Sequence, residues 1–440
     1  MRSERFVVLG VAPVRREWFA RVSKWANDAR LPLEFVKCIS VNEVASRLET
    51  GRAFSALLVD GGAIGLDRDL LDLATTLGCA PIVIDHGLVE RDWHTLGAAA
   101  VLPERFEAAE LHAVLDEVSN PIGRTSNHLD DHVVQDTHYL GGKAVAVLGA
   151  GGMGSSTVAM ALIQGLAAGA VRNTSSSVRP LLLADMALQS GQAMLHDARD
   201  VVPGVTELVE SHRLGTPTNE EVAASIFDYP ERGYHLLLGL RHQRDWMTVS
   251  ARALDATWLT LRRVYSIVVA DIQGDLDGVE QTGSTDIEDR NRLARTAALQ
   301  SDLVLAVGAG NSWGIHHLVR TVLALADAGV DPTRILPIVN RAPRQARQRA
   351  AITTAISDLL ESRLPGKSAT ASPIFLPERR YLEEIHRDGQ PLPSSLAKPL
   401  ADATRALLDN LDERQSEASH IEEPVLVAPG SLGTWSTYDD

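Results

Sequence analysis

The chain has 440 residues, 45% of them hydrophobic and 22% charged, a globular balance long enough for two or three domains that each bury a core. A formal net charge of −15 repels phosphate backbones, so nucleic acid is not an expected partner. The two cysteines, Cys38 and Cys79, have no CxxC spacing; this excludes a zinc ribbon or a disulfide framework and fits buried thiols in a reducing cytoplasm. The first apolar run is too short for a signal peptide and no stretch has the length of a membrane span, so a cytoplasmic protein without direct membrane insertion is expected.

Residues 5 to about 117 alternate short apolar strands with amphipathic stretches. The strands are Phe6 to Val11, Leu33 to Ile39, Ala56 to Val59, Pro81 to Ile84 and Val101-Leu102; Val41 to Thr50 and Arg68 to Leu77 are helical in pattern. This alternation predicts a flavodoxin-like, doubly wound α/β domain over 1–118. Its order and spacing resemble a response-regulator receiver domain, with Asp60 at the phospho-acceptor position. The acidic pair that would hold Mg²⁺ is replaced by Val11-Ala12-Pro13, the Ser or Thr after strand four by Asp85-His86, and the Lys after strand five by Glu104. An Asp without those partners cannot stabilise a transferring phosphoryl group, so Asp60 reads as a vestigial acceptor and the domain as a pseudo-receiver suited to docking.

Residues 119–141 are polar, lose the periodicity and read as a linker. A second βα series occupies 142–412. The acidic Gly/Ser/Pro-rich stretch 413–440 reads as a disordered tail. Within the second series, the strand Lys143 to Leu148 runs straight into GAGGMGSST and an apolar helix. Gly149, Gly151, Gly152 and Gly154 allow a turn whose backbone amides face inward, and a helix start favours an anion there. The loop fits two patterns. One is the GxGxxG dinucleotide fingerprint, also resembling the adenylating ThiF-like enzymes, which expects an acid about 20 residues on. That stretch is Asn173 to Ser177, and Asp185 serves only if the intervening connection is lengthened. The other is the deviant Walker A loop of MinD/ParA proteins, KGGxGK followed by two hydroxyl residues.

Five further segments resemble the CpaE/TadZ branch of the MinD/ParA-type P-loop ATPases, in the same order. PLLLADMALQSGQAML at 180–195 is similar to LLVDLDLQFGDxAL, and YSIVVAD at 265–271 to the strand that ends in a Walker B-like Asp. SDLVLAV at 301–307 is similar to the following strand. ILPIVNR at 335–341 resembles a strand whose Asn contacts adenine, and LPERRYLEEIHRDGQPL at 376–392 resembles the segment near that family's C-terminus. A receiver-like domain in front of a MinD-like domain is the CpaE/TadZ arrangement. The resemblance implies a P-loop NTPase fold with a mostly parallel sheet. It implies a nucleotide site at Gly151, Gly152, Gly154, Ser155, Ser156, Thr157, Asp185, Asp271 and Asn340, with Mg²⁺ held by Ser156 and Asp271.

Against that pattern, Ala150 and Ser155 stand at the two Lys positions, Asp185-Met186-Ala187 lacks the second acid of DxD, and IQGD replaces TPPG after Asp271. Losing the cations weakens both phosphate binding and transition-state stabilisation, so weak binding of ATP with Mg²⁺ and little or no hydrolysis are expected. Arg241, His242 and Arg244 read as a solvated loop, His316-His317 as no metal pair, and GAGNSWG as a strand-to-helix turn. The resemblance implies a homodimeric scaffold that places a Flp/Tad pilus secretion system or a septum site. Secretion or division proteins would be partners through the pseudo-receiver, which would recruit the chain to a pole or membrane. An active ATPase switch and a dinucleotide-binding or adenylating enzyme are the alternatives.

Overall fold

The structure, a computed structural model, describes residues 5–13, 16–28, 30–49, 52–87, 91–121, 141–170, 179–198, 202–363 and 370–419. Most of the expected linker and the end of the expected tail lie outside the described residues.

The first part of the chain forms β1 (Phe6–Val11), α1 (Glu17–Asn27), β2 (Leu33–Cys38), α2 (Val41–Glu49), β3 (Ala56–Asp60), α3 (Arg68–Thr76), β4 (Ala80–Asp85), β5 (Ala100–Pro103) and α4 (Ala108–Val118). The strands pair in parallel in the order β2-β1-β3-β4-β5, the order of flavodoxin-like doubly wound sheets. Both faces are covered, which is why the central strands β1, β3 and β4 are largely apolar, whereas the edge strand β2 carries Glu34 and Lys37. Along β3, Leu57 and Val59 pack with Leu70 and Leu71 of α3, while Ala56 and Leu58 pack with Trp18 and Phe106 on the other face. Between β4 and β5 the described residues form turns rather than a helix.

The second part forms β6 (Lys143–Gly149), α5 (Ser155–Ala170), β7 (Leu181–Asp185), α6 (Gln192–Leu195), α7 (Val205–Leu214), α8 (Asn219–Ala224), β8 (Phe227–Tyr229), β9 (Tyr234–Leu237), α9 (Ala251–Val264) and β10 (Ile267–Asp271). It continues through α10 (Val279–Thr282), α11 (Thr285–Gln300), β11 (Leu303–Ala309), α12 (Ser312–Asp327), β12 (Ile335–Ala342), α13 (Ala346–Glu361), β13 (Ile374–Pro377), α14 (Leu382–Arg387) and α15 (Ser394–Ser419). Eight strands lie in the order β13-β12-β11-β6-β10-β7-β9-β8, and β8 alone runs antiparallel to its neighbour. Residues of β6 alternate between two cores: Ala144, Ala146 and Leu148 face one, Val145 and Val147 the other. α15 continues to Ser419, past the boundary expected at 412. Glu413 to Ala418 is rich in Glu, Gln, Arg and Ala, good helix formers that extend a helix already nucleated by packing.

The two parts touch along α3. Arg213 of α7 donates to the Asp67 carboxylate at 2.7 Å, Arg68 Nε to the His212 carbonyl at 3.2 Å, and Arg252 of α9 to Thr76 Oγ1 at 3.3 Å. One face of the first part is therefore occupied by the chain itself.

α5 lies beneath α15 in the second core, and their crossing is set by a missing side chain. A Cβ at Gly165 would stand 2.3 Å from the Ala397 carbonyl oxygen. Gly165→Ala gains helix propensity of about 1 kcal/mol but forces two buried helices apart, and a net loss of about 1–3 kcal/mol in unfolding free energy is expected. Urea denaturation checks this against Gly151→Ala, where the added Cβ meets nothing within 4 Å.

Candidate functional site

The glycine-rich loop lies where β6 ends, and its strand neighbours decide what can face it. β6 pairs with β11 on one side and with β10 on the other. β7 follows α5 in sequence but pairs with β10, not with β6. Asp271 therefore closes the strand beside the loop, and Asp185 sits in register with it one strand further out. The dinucleotide alternative puts the acid-bearing strand directly beside the loop's own strand. Here β10 lies between them, which removes that alternative.

Within the loop, Gly152 and Gly154 have φ of +80° and +88°, backbone that only glycine adopts without strain. Gly151 and Gly152 are exposed, with open space beside each Cα. Met153 folds back into the core beneath α5. Gly274 presses on the loop's first turn, where a Cβ would stand 2.7 Å from the Gly149 carbonyl oxygen. Among the described residues, no Lys or Arg side chain is hydrogen-bonded to residues 149–157.

The sheet brings together the nine residues singled out for this site, but their polar groups engage one another. Asn340 Nδ2 donates to the Met153 carbonyl at 2.9 Å and its Oδ1 accepts from the Arg341 amide, so neither end points outward for a base. Thr157 Oγ1 lies 3.2 Å from His386 Nε2 on α14. Asp185 accepts from the backbone amides of Ala187, Gly191 and Gln192, which makes it the cap that starts α6. Asp271 accepts from Gln192 Nε2 at 2.7 Å, and the nearby Ser156 hydroxyl favours its charged form. Gln192 Nε2 also reaches the Ser156 carbonyl at 3.2 Å. Asp185 and Asp271 are 0% and 1% exposed. Burial, and for Asp185 also the charge of Asp271, pushes both carboxyls above the ordinary range.

Gln192 and His386 are the contributors that motif reading missed. For Gln192 a signal existed: aligned on LLVDLDLQFGDxAL it stands at the Asp after the glycine, a substitution of charge by amide. His386 has no such signal, because only the fold carries α14 to the start of α5. Arg241, His242 and Arg244 are exposed on the loop after β9. Trp313 and His317 stack at 4.3 Å at the start of α12, while Asn311 caps that helix, as expected of a turn. The described residues contain no cluster of three His, Cys, Asp or Glu able to hold a metal.

Asp60 lies in the other sheet and is fully buried. Its Oδ2 accepts from Trp18 Nε1 and pairs with His86 Nε2, both at 2.8 Å, with Arg16 Nε at 3.2 Å, while Oδ1 takes the Gly62 amide. Glu104, at the position of the receiver Lys, lies 3.3 Å from His86 Nδ1. Three side chains close over the carboxylate that a phosphoryl donor would have to reach.

His196 fixes the far end of α6. Its Nδ1 bonds the Gln192 carbonyl and its Nε2 the Tyr234 hydroxyl at 2.7 Å. Burial, and then the charge of Arg232, pulls it down to about 4. The unfolded chain takes up that proton near pH 6.5, the folded one only near 4. This contribution is therefore complete above pH 6.5 and is lost as pH falls towards 4, amounting to roughly 3 kcal/mol. His196→Gln keeps a donor and an acceptor without the proton uptake. The wild type's stability relative to this variant is expected to decline across that window, and equal slopes in urea titrations from pH 7 to 4.5 would contradict it.

The chain matches no protein-family model and no curated protein. It is similar to several solved structures. A ParA family ATPase from Chlorobium tepidum is 13% identical with a TM-score of 0.45, the match covering 59% of this chain and 97% of that one. The cell division ATPase MinD of Pyrococcus furiosus is 17% identical with a TM-score of 0.42, covering 63% and 99%. The septum site-determining protein MinD of Pyrococcus horikoshii, solved with Mg-ADP, is 18% identical with a TM-score of 0.41, covering 64% and 99%.

Proposed function

We propose that this chain is a positioning scaffold of the CpaE/TadZ kind. A pseudo-receiver precedes a MinD/ParA-like domain whose nucleotide site is degenerate. It would serve a Flp/Tad pilus secretion system or septum-site placement as a homodimer. The observation that carries the reading is a glycine-rich phosphate loop with neutral residues at both cation positions, Ala150 and Ser155, and no Lys or Arg bonded to it from elsewhere among the described residues. Glycines and a helix start still attract an anion. Without a cation on the phosphates, the transition state loses a contribution worth roughly 10³ or more in rate. The loop thus suits weak ATP binding better than turnover.

Two further features support a scaffold. Among the described residues no helix is long and apolar enough to cross a membrane, so attachment to a membrane or pole would come through protein partners. In the pseudo-receiver, α2 and α3 share a face and α3 is engaged by α7 and α9. This leaves the α1/α4 side and the loop residues Ile39, after β2, and Ile64, after β3, 92% and 97% exposed, to meet a partner.

Calorimetry with ATP, ADP and NAD⁺, with oligomeric state read by light scattering, tests the proposal. A dimer in the absence of nucleotide, ATP binding no tighter than about 0.1 mM, and no turnover above background are expected. Turnover at ordinary ATPase rates that disappears in Asp271→Asn would sink the reading in favour of an ATPase switch.

A further inference from the structure

A divalent cation held by Ser156 and Asp271 is what a P-loop site of this type calls for, and the residues present do not fit it. Mg²⁺ requires about six oxygens in an octahedron at roughly 2.0–2.1 Å and keeps several waters. Asp271 Oδ2 is covered by the Gln192 amide nitrogen at 2.7 Å, a donor that repels a cation. The Ser156 hydroxyl lies beside the same carboxylate and favours its charged form. The neighbouring acid, Asp185, has its oxygens committed to three backbone amides. Gln192 is fully buried, so its amide is not a passing surface contact.

We infer that Gln192 is a built-in substitute for the divalent cation. Its amide donates to Asp271 and to the Ser156 carbonyl, joining the end of β10 to the start of α5 as a metal would, and it keeps metal out. Neutral donors, not a dication, satisfy the buried acids. The inference rests on the phosphate-cradle reading in one consequence only: a phosphate-bearing ligand of loop 149–157 would be held by backbone amides without a metal bridge.

The test uses Mn²⁺ alone, followed by electron paramagnetic resonance, on the full chain without nucleotide. The wild type is expected to leave the Mn²⁺ signal that of the free ion. Gln192→Glu, close in shape but with a third carboxylate, is expected to take up one Mn²⁺ per chain, with affinity raised more than about tenfold over the wild type. Adding Asp271→Asn to that variant should abolish the uptake. Gln192→Ser, which removes the amide without adding charge, serves if Gln192→Glu does not fold, and it too should bind Mn²⁺ where the wild type does not. Stoichiometric Mn²⁺ binding by the wild type that is lost in Asp271→Asn would overturn the inference. So would folded Gln192 variants that bind no better than the wild type. Because no nucleotide is present, failure of ATP binding in calorimetry leaves this result decisive on its own.

Discussion

The arrangement at the carboxyl edge of the second sheet depends on two acids buried side by side. The register of β7 on β10 puts Asp185 and Asp271 at the same level of adjacent strands. Burying an ionised carboxylate without a partner is prohibitive, and burying two together is worse. The surrounding chain is organised to supply donors. Residues 187–192 wrap back so that three amides point at Asp185, and this wrapping starts α6. With α6 begun there, its first residue, Gln192, projects its amide onto Asp271. His196 then holds the other end of the short helix through the Gln192 carbonyl. The position of α6 follows from the charges it satisfies.

The same inward turn affects the loop. In a catalytic phosphate site, donors are held ready for charge that arrives with the substrate and develops in the transition state. Here the side chains that could do so are hydrogen-bonded to the protein: Asn340 to the loop backbone and Thr157 to His386. The close approach of Gly274 to the Gly149 backbone and of the Asn340 side chain to Gly154 leaves little freedom to rearrange. Packing and hydrogen bonds that would be disrupted by nucleotide entry instead favour one fixed conformation, which suits a surface that others dock on. What remains open to an anion is backbone, at Gly151 and Gly152.

Much of the fold was legible in the sequence, because buried parallel strands are short apolar runs and the helices between them are amphipathic. Phe6–Val11 matches the expected strand at both ends, and β3, β4, β7, β10 and β12 fall within two residues of theirs. The motif strands could be placed for the same reason: a strand that ends in Asp, as β7 and β10 do, carries its functional residue at a recognisable point. Two things could not be read. Strand order is a long-range property, so nothing local showed that β10 separates β6 from β7. Gln192 and His386 act through contacts 79 and 229 residues away along the chain, and an isolated Gln or His on a short helix has no distinguishing pattern.

Asp60 and Asp271 belong to different sheets, yet the chain treats them alike. Each closes a central parallel strand and is buried, at 0% and 1% exposure. The resemblance assigns Mg²⁺ to Asp271, while Asp60 reads as a vestigial acceptor without the acids that would hold the metal. Around Asp60, Trp18, His86 and Arg16 converge on the carboxylate. Around Asp271 the Gln192 amide closes on the carboxylate. In both places, groups fixed on neighbouring elements do what an exchangeable ion would otherwise do. An ion can leave, and with it the state it stabilises; a tryptophan or glutamine from the core cannot. In each sheet, then, a buried acid at the end of a central strand is held by side chains fixed in the core.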